Sequence, residues 1–163
     1  MCGRYELTIG LEQLPTLIKQ TLPQGFIDHY EQQPLIRPAD PVLVLKQENG
    51  KASSRLMLWG LLAEGSKDPI SSPRPFNARA ETIGTKTTFK AAWRHRRCLL
   101  LANGYFEKGN RIRRADSQPF WLGGLWNRWL GADGSEIESC TVITTKPNSL
   151  IKPFHNRMPL IIP

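Results

Sequence analysis

The sequence predicts an α+β fold: a single domain with a mostly antiparallel, curved, barrel-like β-sheet core and a few flanking helices. Three observations predict it. Short runs of β-branched and apolar residues recur along the whole chain, separated by turn residues. Only two stretches carry helical spacing. The chain is 163 residues long, a length suited to one domain with a sizeable core, and it contains no internal repeat.

Taken in order, a short strand within Met1–Leu7 precedes Thr8, which is placed to cap a helix. Leu11, Leu14, Leu17, Ile18 and Leu22 then fall at helical spacing, with Pro15 tolerated only in the first turn. Pro34, Pro38 and Pro41 break up a loop. Val42–Leu45 and Leu56–Gly60 flank a turn at Glu48-Asn49-Gly50, so residues 42–60 are expected to form a hairpin. Residues 64–75 make a polar, proline-containing loop, and Phe76–Glu81 leads to a helix from Thr87 to Arg96. The apolar strand Cys98–Ala102 ends at Asn103-Gly104, and Tyr105-Phe106-Glu107 follows directly. Arg111–Ala115, Pro119–Leu122, Leu125–Leu130 and Thr141–Thr145 are expected as strands, and the chain closes with His155 to Pro163.

Composition is globular, with 40% hydrophobic and 22% charged residues. No apolar run is long enough to span a bilayer, and the N-terminus lacks a signal pattern. The expectation is a monomeric, cytoplasmic protein without a membrane role, nucleoid-associated if bacterial. Lys and Arg number 22 against 14 Asp and Glu, a net charge of +8 that favours a polyanionic partner. Local density is highest in Arg94-His95-Arg96-Arg97 and Arg111-Ile112-Arg113-Arg114. Cys98 and Cys140 lead apolar runs and are expected to be buried strand thiols rather than disulfide or zinc partners. No phosphate loop, metal motif or nucleophile elbow is present, so neither cofactor nor metal is expected.

Cys2 is the residue with distinctive chemistry. Removal of Met1 leaves a thiol and an α-amine on one residue, with ordinary pKa values of about 8.5 and about 7.7–8.0. Such a 1,2-aminothiol condenses with an aldehyde through the amine and then closes through sulfur to a five-membered thiazolidine. Three further polar residues stand out by their surroundings. Asn77 lies in Phe76-Asn77-Ala78-Arg79-Ala80-Glu81 and could equally be a turn residue. Glu107 follows an apolar strand and two aromatics, where partial burial would let a carboxylate donate as well as accept a proton, though it could equally be a strand-end surface charge. His155 sits on a loop bracketed by Pro153 and Pro159 and is suited to proton transfer near neutrality, or to a loop cap. Glu81 and Glu107 could also be imagined as a glycosidase carboxylate pair.

Read together, seven blocks resemble the SOS-response-associated peptidase family, whose members crosslink to abasic sites in single-stranded DNA. They are Met1-Cys2-Gly3-Arg4-Tyr5, Met57-Leu58-Trp59-Gly60-Leu61, Phe76-Asn77-Ala78-Arg79-Ala80-Glu81-Thr82, and Arg97-Cys98-Leu99-Leu100 running to Gly104-Tyr105-Phe106-Glu107. Gly124-Leu125-Trp126, Ile143-Thr144-Thr145 and His155-Asn156-Arg157-Met158-Pro159 complete the series, in the family's order. The resemblance implies a thiazolidine between Cys2 and the C1′ aldehyde of an abasic site, with no cofactor. It implies that Asn77 holds the N-terminus and sugar, that Glu107 handles protons at the amine and ring oxygen, and that His155 assists sugar opening and reversal. It also implies DNA contacts from Arg4, Trp59, Arg79 and Thr145, and a peptidase activity that removes Met1, by self-processing or by a separate aminopeptidase.

The chain departs from the family's pattern in several places. Leu35-Ile36-Arg37-Pro38 lacks a usual asparagine, Leu62-Ala63-Glu64 replaces a second tryptophan that wedges DNA in relatives, and Asn103 stands for an aspartate. The expected unit is one domain over residues 1–163, short at its C-terminus. Two other classes fit parts of the sequence. An N-terminal-nucleophile amidohydrolase, like glutamine amidotransferases, also begins Met-Cys-Gly. A noncatalytic basic nucleic-acid-binding domain would leave Cys2 incidental.

Overall fold

A computed structural model describes residues 2–163. Its strands and helices are β1 (Tyr5–Leu7), α1 (Thr16–Thr21), α2 (Gln24–Ile27), β2 (Gln33–Ile36), β3 (Pro41–Glu48), β4 (Lys51–Trp59), β5 (Asn77–Arg79) and α3 (Thr87–His95). They continue with β6 (Arg97–Ala102), β7 (Gly104–Glu107), β8 (Asn110–Ile112), β9 (Phe120–Leu130), β10 (Glu136–Thr145), β11 (Met158–Pro159) and β12 (Ile161–Ile162). Five strands close on themselves in the order β10-β4-β3-β6-β9, because β9 pairs back onto β10. That is the barrel the strand pattern predicts. Most pairings are antiparallel. β10 runs parallel to β4 over two residue pairs and to β5 over three.

A second, four-stranded sheet in the order β2-β1-β7-β8 packs beside the barrel. Alternation places Tyr5, Leu7, Tyr105 and Glu107 on one face, with Tyr5 opposite Tyr105. That face is buried, and the main core gathers Cys2, Tyr5, Val42, Val44, Met57, Trp59, Tyr105 and Val142 among others. The polar Glu107 is therefore carried inward by the period of an otherwise apolar strand. A smaller core of Leu61, Ala78, Ile83, Phe89, Ala92, Leu125 and Ile143 includes two residues of α3.

The hairpin at residues 42–60 is present, and its turn uses Asn49 and Gly50 at φ of 51° and 76°. Four local expectations are corrected. The helix expected after Thr8 is split into a 3-10 turn over Leu11–Gln13 and α1, because Pro15 cannot donate within a helix and instead caps α1. Thr8 is not a cap: its N–H and hydroxyl are bound by the Asn103 side chain at 2.7 and 2.9 Å. Finally, Gly123 and Gly124 do not separate two strands but lie inside β9. A Cβ on Gly124 would come within 2.7 Å of Leu100 and of the Thr141 carbonyl, so the glycines serve close packing rather than a turn. The segment expected as a proline-broken loop forms β2, an edge strand, where Pro34 costs no internal ladder bond.

The barrel carries an ionic cluster on β3, β9 and β10. Lys46, nearly buried against the Trp126 ring at 3.8 Å, binds Glu138 at 2.7 Å and Glu48 at 3.1 Å. Arg128 binds Glu48, Glu136 and Glu138 at 2.8–3.0 Å. Hydrogen bonds from Arg128, then Lys46, hold the Glu48 carboxyl below its ordinary 4.5. A depressed carboxyl stabilises the fold above its ordinary value, and that contribution disappears as pH falls through the folded value. Melting temperature is thus expected to drop as pH is lowered from 4.5, and the Glu48→Gln variant should show a shallower drop. Because the pair is part-exposed, its share is less than about 1 kcal/mol. A pH series of thermal melts on both proteins checks this.

Candidate active site

Cys2 lies three residues before the start of β1 and is wholly buried. Asn77, the first residue of β5, donates from Nδ2 to the Cys2 carbonyl at 3.0 Å. β5 is held in place by its parallel pairing on β10, with Asn77 opposite Val142. Asn77 Oδ1 is buried and accepts no hydrogen bond among the described residues, leaving an acceptor beside the N-terminus. An asparagine is suited to this place, since one end can grip a carbonyl while the other accepts from an amine or hydroxyl.

Glu107 ends β7 and is 6% exposed. The turn that follows, Lys108-Gly109 at φ of 47° and 80°, reverses the chain into β8. His155 comes from the turn before β11, where its N–H donates to the Ile151 carbonyl. Its Nε2 lies 3.9 Å from Glu107 Oε1. Its Nδ1 accepts the Arg157 backbone N–H at 3.0 Å. A ring nitrogen that accepts carries no proton, which leaves the ring hydrogen to Nε2, the nitrogen nearer Glu107.

Burial, and next the negative charge of Glu107, push the Cys2 thiol up to about 12. At neutral pH this thiol keeps its proton until a base removes it. The phenol of Tyr105 is likewise held well above its usual range, by burial first and then by Cys2 and Glu107. The site thus combines a buried thiol, a carboxylate beside it and an imidazole whose Nδ1 is an acceptor. Its chemistry is proton transfer around a nucleophile.

Four residues named from the sequence converge here: Cys2, Asn77, Glu107 and His155. Arg4 and Arg79 are exposed and join no ion pair among the described residues. By strand alternation Arg79 shares the Asn77 face of β5. Thr145 is half-buried at the end of β10, paired with Met158. Trp59 is the exception. It is 0% exposed, packs edge-on to Tyr5 and Phe76, and donates from Nε1 to the Phe76 carbonyl at 2.8 Å. A ring enclosed on these sides cannot stack on a base, so its expected DNA contact is corrected to a core role.

The glycosidase pairing also fails. Glu81 is an exposed carboxylate whose two oxygens are held by Arg157 at 2.8 and 2.9 Å, while Glu107 is buried among the residues around Cys2. Both basic runs are partly engaged in the fold: Arg96 binds Asn127 and Glu64, Arg111 binds the buried Glu6, and Arg114 binds Asp116. Cys98 and Cys140 are buried thiols, as expected. The proposed removal of Met1 concerns a residue outside those described. Arg157 was missed as a functional residue, although it lies inside the His155 block. Only the fold reveals that its backbone touches His155 while its side chain reaches Glu81.

Among the described residues no three His, Cys, Asp or Glu side chains form a metal-binding group, and no helix is long and apolar enough to cross a membrane. The family model described as SOS response associated peptidase (SRAP) matches residues 1–163. Abasic site processing protein YoqW of Bacillus subtilis is 31% identical over 173 residues, covering 99% of this chain and 76% of the relative. Abasic site processing protein YedK of Escherichia coli is 28% identical over 174 residues, covering 99% and 75%. A crystal structure of a Bordetella bronchiseptica protein superposes with a TM-score of 0.80 at 24% identity, covering 99% of this chain and 84% of that one, and shares the fold.

Proposed function

The chain belongs to the SOS response associated peptidase family, and on that premise we propose that it processes abasic sites, crosslinking through Cys2 to the sugar aldehyde in single-stranded DNA. The observation that carries this reading is the convergence on Cys2: Asn77 on its carbonyl, and the Glu107 charge acting on its thiol beside His155.

The reaction follows from what each group can do. After loss of Met1, the Cys2 amine adds to the C1′ aldehyde and expels water, giving an imine. The Cys2 sulfur then bonds to C1′, and the thiol proton passes to the imine nitrogen, closing the thiazolidine. Glu107 is the base that relays protons between these atoms. His155 Nε2–H donates to the sugar ring oxygen as the closed sugar opens to the aldehyde, and takes part in reversal. Asn77 holds the Cys2 backbone and offers Oδ1 to the amine or to a sugar hydroxyl. Arg4, Arg79 and Thr145 contact the strand, the arginines through phosphate oxygens that match their planar fork. Self-removal of Met1 would draw on the same four residues around the thiol.

The test uses protein lacking Met1, verified by mass spectrometry, and a single-stranded oligonucleotide with one abasic site. A heat-stable, salt-stable band on a denaturing gel is expected, absent with Cys2→Ala and with intact DNA. No band from the wild type overturns the reading. Glutaminase activity would assign it to the amidohydrolases, and salt-sensitive binding indifferent to Cys2→Ala would leave a noncatalytic binder.

A further inference from the structure

We propose that Glu81 is a positioning residue for His155, acting through Arg157 to hold the imidazole proton on Nε2. Arg157 donates from both ends. Its backbone N–H goes to His155 Nδ1 at 3.0 Å. Its guanidinium grips Glu81 at 2.8 and 2.9 Å, and one of its nitrogens also donates to the Thr144 carbonyl at 2.6 Å and Thr144 Oγ1 at 3.2 Å. The tautomer of His155 is therefore set by where the Arg157 peptide lies.

The backbone anchors that peptide only through its neighbours, by the His155 N–H on the Ile151 carbonyl and by Met158 opposite Thr145. The strand that follows, β11, has only two residues paired with β10. Asn156 on the other side is exposed. The clamp adds a side-chain anchor on Arg157 itself, and its two acceptors are tied to each other. The Thr144 carbonyl also receives the Ala80 N–H at 2.9 Å, next to Glu81, so the end of β5, the end of β10 and the His155 turn are drawn to one point. A carboxylate held at both oxygens by a guanidinium fixes direction as well as distance. Arg157 also holds the Glu81 carboxyl down at about 2, so the pair stays ionised throughout the neutral range.

The consequence is chemical. With Nδ1 occupied, Nε2–H faces Glu107 at 3.9 Å, beyond hydrogen-bond length but closed by a small ring movement once substrate enters. With the other tautomer, a ring lone pair would face the carboxylate and no proton would be offered to a sugar oxygen. A base or acid in the wrong tautomer loses most of its effect even when its position is kept.

The kinetic arm of the test rests on the proposed crosslinking, while the spectroscopic arm does not. Nitrogen-15 NMR of the full chain, with His155 assigned by His155→Gln, distinguishes a bare from a protonated ring nitrogen. The wild type is expected to show bare Nδ1 and protonated Nε2. Glu81→Ala should give mixed tautomers, and its crosslinking rate at saturating abasic DNA should fall by about tenfold or more, with half-saturation little changed. Glu81→Gln, which can still accept from Arg157, should keep the wild-type pattern and most of the rate. Because Glu81 is 41% exposed on its side chain, both variants are expected to fold, and Glu81→Lys, which repels the guanidinium, provides an independent disruption. An unchanged ring-nitrogen pattern in Glu81→Ala and Glu81→Lys overturns the proposal. So does a changed pattern with an unchanged rate. A wild type that never crosslinks refutes the proposed function, yet the NMR comparison still decides what Glu81 does to His155.

Discussion

Glu107→Gln is expected to slow crosslinking by about a hundredfold or more, while making the Cys2 thiol easier to alkylate. On the proposed mechanism the two effects have opposite signs, because Glu107 would do two things. Its charge helps to hold the thiol up at about 12, second only to burial. Removing that charge moves the thiol down and raises the small fraction that is ionised at neutral pH. If thiolate supply limited the reaction, the variant would be faster. A base that takes the proton as sulfur closes on C1′ is a different requirement, and glutamine cannot meet it. Crosslinking rates should therefore fall while mass-mapped alkylation of Cys2 rises, both measured on protein lacking Met1. A variant that crosslinks faster than the wild type would show that Glu107 is only an electrostatic obstacle. A disordered N-terminus would also raise alkylation by exposing Cys2, and a thermal melt of the variant separates that case from loss of the charge alone.

This opposition explains how a buried cysteine can be selective. A thiol that ionised freely in an exposed site would react with many electrophiles. Here burial keeps sulfur protonated, and the proposed reaction would wait for a partner that first engages the amine and then sits where Glu107 can move the proton. The aldehyde of an abasic sugar offers that sequence of steps. The buried acceptor on Asn77 lies beside Cys2, where the proposed reading places such a sugar.

The barrel and the four residues around Cys2 were legible in the sequence for different reasons. Alternating strands and the Asn49-Gly50 turn are local signals, and β3 and β4 follow them. Glu107 was open between a partly buried and a surface place, and the resemblance tied it to Cys2; in the fold it points inward with Tyr105. Non-local features were not legible. Gly123 and Gly124 look like a break in a strand, and only the approach of Leu100, Thr141 and Leu160 shows why a strand needs them there. Charge runs were overread for the same reason, since Glu6 and Arg111 are 105 residues apart and meet only through the pairing of β1 with β7 and β7 with β8. The clamp on His155 joins residues 81, 144 and 157, a constellation that no spacing rule contains.

Trp59→Phe is expected to lower stability and slow crosslinking while leaving affinity for intact single-stranded DNA unchanged. A stacking residue would behave otherwise, keeping stability while the smaller face of phenylalanine weakened binding to the bases. The difference lies in the indole N–H. The Phe76 carbonyl accepts both Trp59 Nε1 at 2.8 Å and the Val142 N–H at 3.0 Å, and the next residue is Asn77. Trp59 thus fixes the start of β5 from within the core, and through Asn77 it fixes the Cys2 carbonyl. Losing the donor costs about 1–3 kcal/mol, because a buried carbonyl forfeits a partner and the smaller ring leaves space. Trp59→Ala removes the packing against Tyr5 and Phe76 as well, about 3–5 kcal/mol, which at this chain length corresponds to a fall of about 10 °C in melting temperature. Thermal melts, DNA titrations and crosslinking rates on the two variants check the order. Reduced DNA affinity in a Trp59→Phe protein that melts like the wild type would return this tryptophan to the DNA-binding surface. Stability and crosslinking falling together at constant affinity would establish it as the core support of Asn77.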